Sequence, residues 1–295
     1  MRVTFRSIDD GIDALNTAAE QFSLAQRQVA TGRRLQSPSD DPSAAMRIIQ
    51  GTNEIGTIDA YTRANDTAGS RLTVLDNVLG TIVDRLTEAQ AAAAQGRGTT
   101  ADAATREALA EKLRGIRDGL VGDFNTTFRG TSLLSGAEAQ TEAYAQVAGV
   151  WTYQGSTDQV TVDIGRGRDV AVALDGQAIA QGADASDLFT EFDALITAVQ
   201  AADEAGMTTG MDALQRAFNR AVRAQSGVGI DLTGIEQEQQ NLASFRVANL
   251  KAISLDRDAN MAEAITEMSQ ADTAYRAALQ AVGATSKVSL MDYLG

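Results

Sequence analysis

The stretch VATGRRLQSPSDDPSAA, Val29–Ala45, carries the only two prolines of a 295-residue chain, Pro38 and Pro42. Proline breaks a helix interior but fits its first turn. Asp41 before Pro42 therefore predicts an N-cap with proline at the first helical position, opening the helix SAAMRIIQG. Pro38 biases Ser37 away from helical geometry, so a preceding helix cannot run through. Gly32 is the expected helix stop on that side. Together these residues predict a short, stiff corner between two helices. Asp40 and Asp41 could also be read as metal ligands or catalytic carboxylates. An Asp-Asp pair beside a helix start is explained more simply as a cap favoured by the helix dipole.

Upstream of the corner the pattern is heptad. Ile8, Leu15, Phe22 and Val29 recur every seven residues, and Gly11, Ala18 and Ala25 follow the first three at a spacing of three. The C-terminal end has the same design: Met261, Met268, Tyr275 and Val282 recur every seven, with Ala264, Ala271 and Ala278 three later. Ile265 and Leu279 widen that stripe and Asp272 interrupts it. Small residues on both seams would let two helices approach closely. Pattern alone equally permits two unrelated amphipathic helices.

Between the ends, Leu72–Leu75–Leu79–Ile82–Leu86 and Leu109–Leu113–Ile116–Leu120–Phe124 step by three and four, as helices do. So do Leu188, Phe192, Leu195 and Val199, and then Leu214, Phe218 and Val222. A run from Ile235 through Leu242 and Phe245 to Ile253 leads to the C-terminal heptads. Period-two signals appear only between about Gly136 and Gly182. VWTYQG, VTVDI and VAVAL read as strands, and GRGR, Gly165–Arg168, as a hairpin loop. The expected fold is mainly α: an elongated helical hairpin with a terminal coiled coil, a helical bundle and a small β insert at the tip. The corresponding domains are 1–41 with 258–295, 42–136 with 183–257, and 137–182.

Composition narrows function. The net charge of −14 would be repelled by a phosphate backbone, so nucleic-acid binding is not expected. There is no cysteine and no histidine, which removes disulfides, thiol chemistry, the commonest general base and the commonest transition-metal ligand. Hydrophobic residues make up 44% but aromatics only 5%, a mix suited to helix seams. No apolar run approaches ~18 residues, so no membrane insertion is expected. MRVTFRSIDDGIDAL lacks the apolar region of a cleavable signal peptide.

Other motifs have plain explanations. DRDANMAEAITE matches a calcium loop at Asp256, Asp258, Asn260 and Glu267, but Met261 stands where glycine is needed. Asn260 as N-cap with Glu263 in the first turn explains the same residues. GRGR is followed by no helix N-terminus, so it is not expected to cradle phosphate. Asn65 and Asn125 head glycosylation sequons inside helical patterns. No catalytic residue, cofactor or metal is expected, and the chain is not read as an enzyme.

The corner VATGRRLQSPSDDPSAA resembles the N-terminal signature of the bacterial flagellar hook-filament junction family, hook-associated protein 3, of the flagellin-like superfamily. Leu133–Gly136, LLSG, resembles that family's motif beside its β segment, although the aromatics are missing here. YQG and IGRGRDVAVALDGQ resemble the β segment itself. The ending MAEAITEMSQADTAYRAALQAVGATSKVSLMDYLG resembles the closing helix.

The resemblance implies a mechanical subunit in a ring or helical assembly of copies, between a hook-side junction protein and flagellin. It implies an extracellular place in the flagellum, type III export without a cleavable signal, and a cytosolic chaperone on the C-terminal helix. Expected subunit-interface residues are Ile8, Leu15, Phe22, Val29, Met261, Met268, Ala271, Tyr275, Ala278, Val282, Leu290, Tyr293 and Leu294. Pro38, Asp40, Asp41 and Pro42 form the expected interdomain corner. A short flagellin is the nearest alternative; an intracellular coiled-coil adaptor is a different class that heptads alone permit.

Overall fold

The computed structural model describes residues 2–98 and 102–294, with side chains described for 9–98 and 102–284. Among the described residues, seven helices and six short strands follow in the order α1 (Arg2–Thr31), α2 (Pro42–Gly96), α3 (Ala103–Phe124), β1 (Thr127–Phe128), β2 (Thr131–Ser132), β3 (Tyr144–Val147), β4 (Val150–Tyr153), β5 (Val160–Gly165), β6 (Arg168–Ala173), α4 (Gly176–Ala180), α5 (Leu188–Ala201), α6 (Glu204–Arg257) and α7 (Met261–Leu294). The fold is mainly α, with the strands paired as three separate antiparallel hairpins, β1–β2, β3–β4 and β5–β6. Two of these fall in the expected β region; β1–β2 precedes it. The runs read separately around Leu214 and Ile235 belong to one 54-residue helix, α6, and the corner helix continues through Leu72–Leu86 as the 55-residue α2.

The chain divides into two compact units, 1–58 with 244–295 and 59–243. In the first, α1 and α7 pack along one another. The Phe22 and Tyr275 rings stack, and a Cβ on Gly11 would sit 3.4 Å from Val282 Cγ2. Ala18, Ala25 and Ala264 are buried. The start of α2 packs on the end of α6, where Gly51 admits Ile253: a Cβ there would lie 3.0 Å from its Cγ1.

The second unit holds the large core. Leu72, Leu75, Leu79, Ile82 and Leu86 of α2 join Leu113 and Leu120 of α3, Phe189 and Phe192 of α5, and Leu214 of α6, all fully buried. The three-four spacing of these residues puts them on one face of each helix, and burying that face is the main term holding the unit together. Phe124 and Phe189 meet Tyr144 of β3 edge to face, and Tyr153 of β4 packs tilted against Tyr144. The Tyr144 hydroxyl donates to Asp187 Oδ2 at 2.7 Å, and burial pushes its pKa upward.

Polar side chains fasten the hairpins to the helices. Arg71 on α2 donates to Val172 O, to Thr131 Oγ1 at 2.6 Å and to Ser132 O at 2.7 Å. Asn65 is fully buried and donates to Ile164 O at 2.6 Å and to Tyr61 O at 2.8 Å. Asn125 donates to Tyr144 O and accepts from Tyr144 N–H, both at 2.8 Å. Both sequon asparagines are thus consumed by folding contacts.

Candidate functional site

The two prolines sit in a corner that is pinned to the returning chain. Gly32, at φ +67, ends α1, and its N–H donates to Gln28 O at 2.8 Å. The chain then turns at Ser37–Asp40, where Asp40 N–H donates to Ser37 O at 3.0 Å. Pro38 occupies the second turn position, which its fixed φ favours. The adjacent aspartates point opposite ways in sequence. Asp40 Oδ2 accepts from the N–H groups of Gln36 (3.1 Å) and Ser37 (2.8 Å), closing the turn behind it. Asp41 Oδ1 accepts from Ser43 N–H (3.2 Å), Ala44 N–H (3.0 Å) and Ser43 Oγ–H (2.7 Å), capping α2 ahead of it. The Ala44 N–H, with Ser43, holds the Asp41 carboxyl below the usual carboxylate range.

The returning chain breaks helix at the same place. Arg34 N–H and Leu35 N–H donate to Arg257 O at 2.9 and 3.3 Å, and Ala259 N–H donates to Gly32 O at 2.9 Å. Asn260 Oδ1 then caps α7, accepting from Ala262 N–H at 3.2 Å. Charged groups surround this clasp. Arg47 grips Asp256 with two bonds, Nε to Oδ2 at 3.0 Å and Nη2 to Oδ1 at 2.6 Å. Arg34 Nη2 donates to Asp256 O at 2.8 Å and lies 3.8 Å from Asp41 Oδ2. Asp258 accepts from Arg257 Nε at 2.8 Å and from Ser254 Oγ–H at 2.6 Å. Arg47 lowers the Asp256 pKa, and Arg257 with Ser254 lowers that of Asp258. Asp256, Asp258 and Asn260, the calcium-loop positions, are therefore spent on the clasp and on a cap. A cleft of about 510 Å³ opens beside the corner, walled by Leu24, Arg27, Gln28, Leu35, Asp40 and Asp41 among others.

The seam residues come together inside one chain. Leu15, Phe22 and Val29 on α1 and Met268, Ala271, Tyr275, Ala278 and Val282 on α7 are half-buried along the helix pair. Met261 is exposed. The side chains of Ile8, Leu290, Tyr293 and Leu294 lie outside the described residues. A second set of apolar residues, of which the sequence reading named Phe245, Ile265 and Leu279, faces solvent in the same unit. Ile12 and Leu24 lie on α1, Met46 and Ile49 on α2, Phe245, Val247, Leu250 and Leu255 on α6, and Ile265 and Leu279 on α7. The three-residue spacing of Met46 and Ile49, and of Val247 and Leu250, is the signal that marks these stripes.

Comparison with known proteins agrees with this architecture. Residues 12–139 match the bacterial flagellin N-terminal helical region. The chain is 23% identical to flagellar hook-associated protein 3 of Escherichia coli over 75% of its own length and 76% of that protein's. It is 29% identical to the Salmonella typhimurium protein of the same name over 56% of its length, spanning about half, 51%, of that relative. The flagellar junction protein FlgL of Legionella pneumophila superimposes with a TM-score of 0.62 at 12% identity, covering 72% of this chain and all of that one. The chain is thus similar to flagellar hook-associated protein 3 along three quarters of its length, carries a match to the flagellin N-terminal helical region at residues 12–139, and shares its fold with the Legionella pneumophila junction protein.

Proposed function

We propose that the chain is a structural subunit of the bacterial flagellum, placed at the hook-filament junction between a hook-side junction protein and flagellin. The observation that carries this reading is the similarity to hook-associated protein 3 along three quarters of the chain, joined to a fold of the same kind.

Charge and exposure favour assembly through one of the two units. Residues 1–58 with 244–295 hold 11 of the 25 basic and 13 of the 39 acidic side chains, so they are nearly neutral. Residues 59–243 hold the other 14 and 26, a net −12. The eleven exposed large apolar residues named above all lie in the nearly neutral unit. Neutral, apolar helix faces are suited to packing between copies, whereas the acidic unit keeps its copies apart. The three-part division into a terminal coiled coil (1–41, 258–295), a bundle (42–136, 183–257) and a β part (137–182) belongs to this reading. So do a homo-oligomeric ring, export without a cleavable signal and a cytosolic chaperone on the C-terminal helix. Seam positions such as Ala271 and Ala278 act there by keeping α1 and α7 close, so that the outer stripes can meet neighbours.

Deletion of the gene with gold labelling of a tagged copy tests this. Gold confined to the hook end, and hooks without filaments in the deletion strain, are expected. Gold scattered along the filament would make the chain a short flagellin, and a wholly cytosolic signal would make it an adaptor.

A further inference from the structure

We infer that the Arg47–Asp256 pair is an ionic latch: it holds the two helix breaks, residues 32–41 and 257–260, together, and its opening loosens α1 and α7 as one. The inference stands independently of the junction reading. Three backbone hydrogen bonds cross between the breaks, from Arg34, Leu35 and Ala259. None of the side chains at 31–41 or 254–260 is fully buried, so little apolar area holds this contact. What remains is charge. Arg34 lies beside Asp41, Arg257 pairs with Asp258, Arg33 bridges to Asp258 through the backbone, and Arg47 pairs with Asp256 across the clasp. Among the described residues, Arg47 alone reaches from the second turn of α2 to the end of α6 with a two-bond grip, the geometry that makes an ion pair directional.

The latch is coupled to the terminal helices by position. α1 stops one residue before Gly32 and α7 starts two residues after Ala259, and the bond from Ala259 N–H to Gly32 O joins those two points directly. Beyond the clasp, the mutual face of α1 and α7 buries fully only small alanines, Ala18, Ala25 and Ala264, and its large seam residues are half-buried. An exposed ion pair adds little to stability, so the latch opens at small cost. That is suited to a contact that must hold the corner in one state and release it in another.

Hydrogen exchange by mass spectrometry on the full-length monomer tests the coupling. Arg47→Gln and Asp256→Asn are each expected to speed exchange about two- to fivefold at 32–41 and 257–260, and equally in 12–31 and 262–284. Leu72–Leu86 serves as the internal control and should not change. Arg47→Asp combined with Asp256→Arg should restore protection. Wild-type protein in about 1 M sodium chloride should reproduce the single variants without any mutation, because screening then acts within ~3 Å. Faster exchange at the breaks with α1 and α7 unchanged overturns the inference. So does no change at either place, or a charge-swapped protein that behaves like the single variants.

Discussion

The ring of Phe22 lies parallel to that of Tyr275, with 2° between their planes and 6.0 Å between centroids. These residues belong to opposite ends of the chain and sit at matching heptad positions of α1 and α7. The contact sets the register of the pair, because shifting either helix by one turn would replace an aromatic with a small residue.

A double-mutant cycle on Phe22→Ala and Tyr275→Ala should give a coupling of about 0.5–1.5 kcal/mol, read as loss of exchange protection in α1 and α7. Ala271→Leu with Ala278→Leu should weaken the same pair by about 1–3 kcal/mol per site, since both alanines are half-buried along it. Additive effects in the aromatic cycle would show that the rings merely neighbour one another.

Glycines in the second unit should respond in opposite directions. Gly136 has φ +59, and a Cβ there would lie 2.0 Å from Ser156 O and 2.6 Å from Asp158 O. Gly136→Ala is expected to cost at least about 3 kcal/mol from backbone strain and overlap together. Gly227 and Gly229 lie inside α6 with open space around them. Replacing each by Ala should stabilise by about 0.8–1.0 kcal/mol. Urea midpoints at constant m-value separate the two cases; a destabilised Gly227→Ala protein would contradict the open helix face.

Arg71 sits among three neutral acceptors, and burial lowers its pKa from the ordinary guanidinium value. Arg71→Gln should destabilise the second unit by about 2–3 kcal/mol, because carbonyls of Ser132 and Val172 lose their donors. Arg71→Lys should not rescue it, since a single ammonium cannot reproduce the fork. Thermal unfolding followed at 222 nm reports the loss, and full rescue by lysine would mean that charge alone matters.

Acid should act on the corner before the core. Asp41, Asp256 and Asp258 have lowered pKa values, held down by the Ala44 N–H, Arg47 and Arg257 respectively, with Ser43, Ser254, Arg33 and Arg34 also facing them. A lowered carboxylate contributes stability above its unfolded value near about 4 and loses it as pH falls through the folded value. Burial raises Asp123, Asp187 and Asp231 in the second unit, so their effect runs the other way: stability there is lost as pH rises from about 4 through the raised values. Protection factors at residues 32–41, corrected for the intrinsic slowing of exchange in acid, should therefore fall as pH drops below about 4 while Leu72–Leu86 stays protected. Simultaneous loss in both places would contradict this order.

The corner is legible in sequence because proline and aspartate act locally: Pro42 and Asp41 start a helix whatever surrounds them. The seams are legible as seams, yet their pairing is not, since a heptad stripe does not name its partner. The length of α2 and α6 is hidden because Gly69, Gly80, Gly227 and Gly234 interrupt the apolar spacing, and only packing of the flanking turns carries the helix across them. The bond from Arg47 to Asp256 spans 209 residues, and the sequence offers only a cation and an anion among many. Asp40 is the instructive partial case. Capping explains both aspartates, but only the structure shows that one serves the turn behind and the other the helix ahead.

The packing of Gly11 against Val282 has a kinetic consequence. Their contact closes a loop running from residue 11 to residue 282, and closure entropy grows with loop length. Residues 59–243 form a compact unit of their own, and the bond from Gln239 to Asp66 draws its two ends together. Once that unit has formed, the search left to the terminal helices is far shorter. The α1–α7 pair is therefore expected to form after residues 59–243, and a chain without α7 cannot form it.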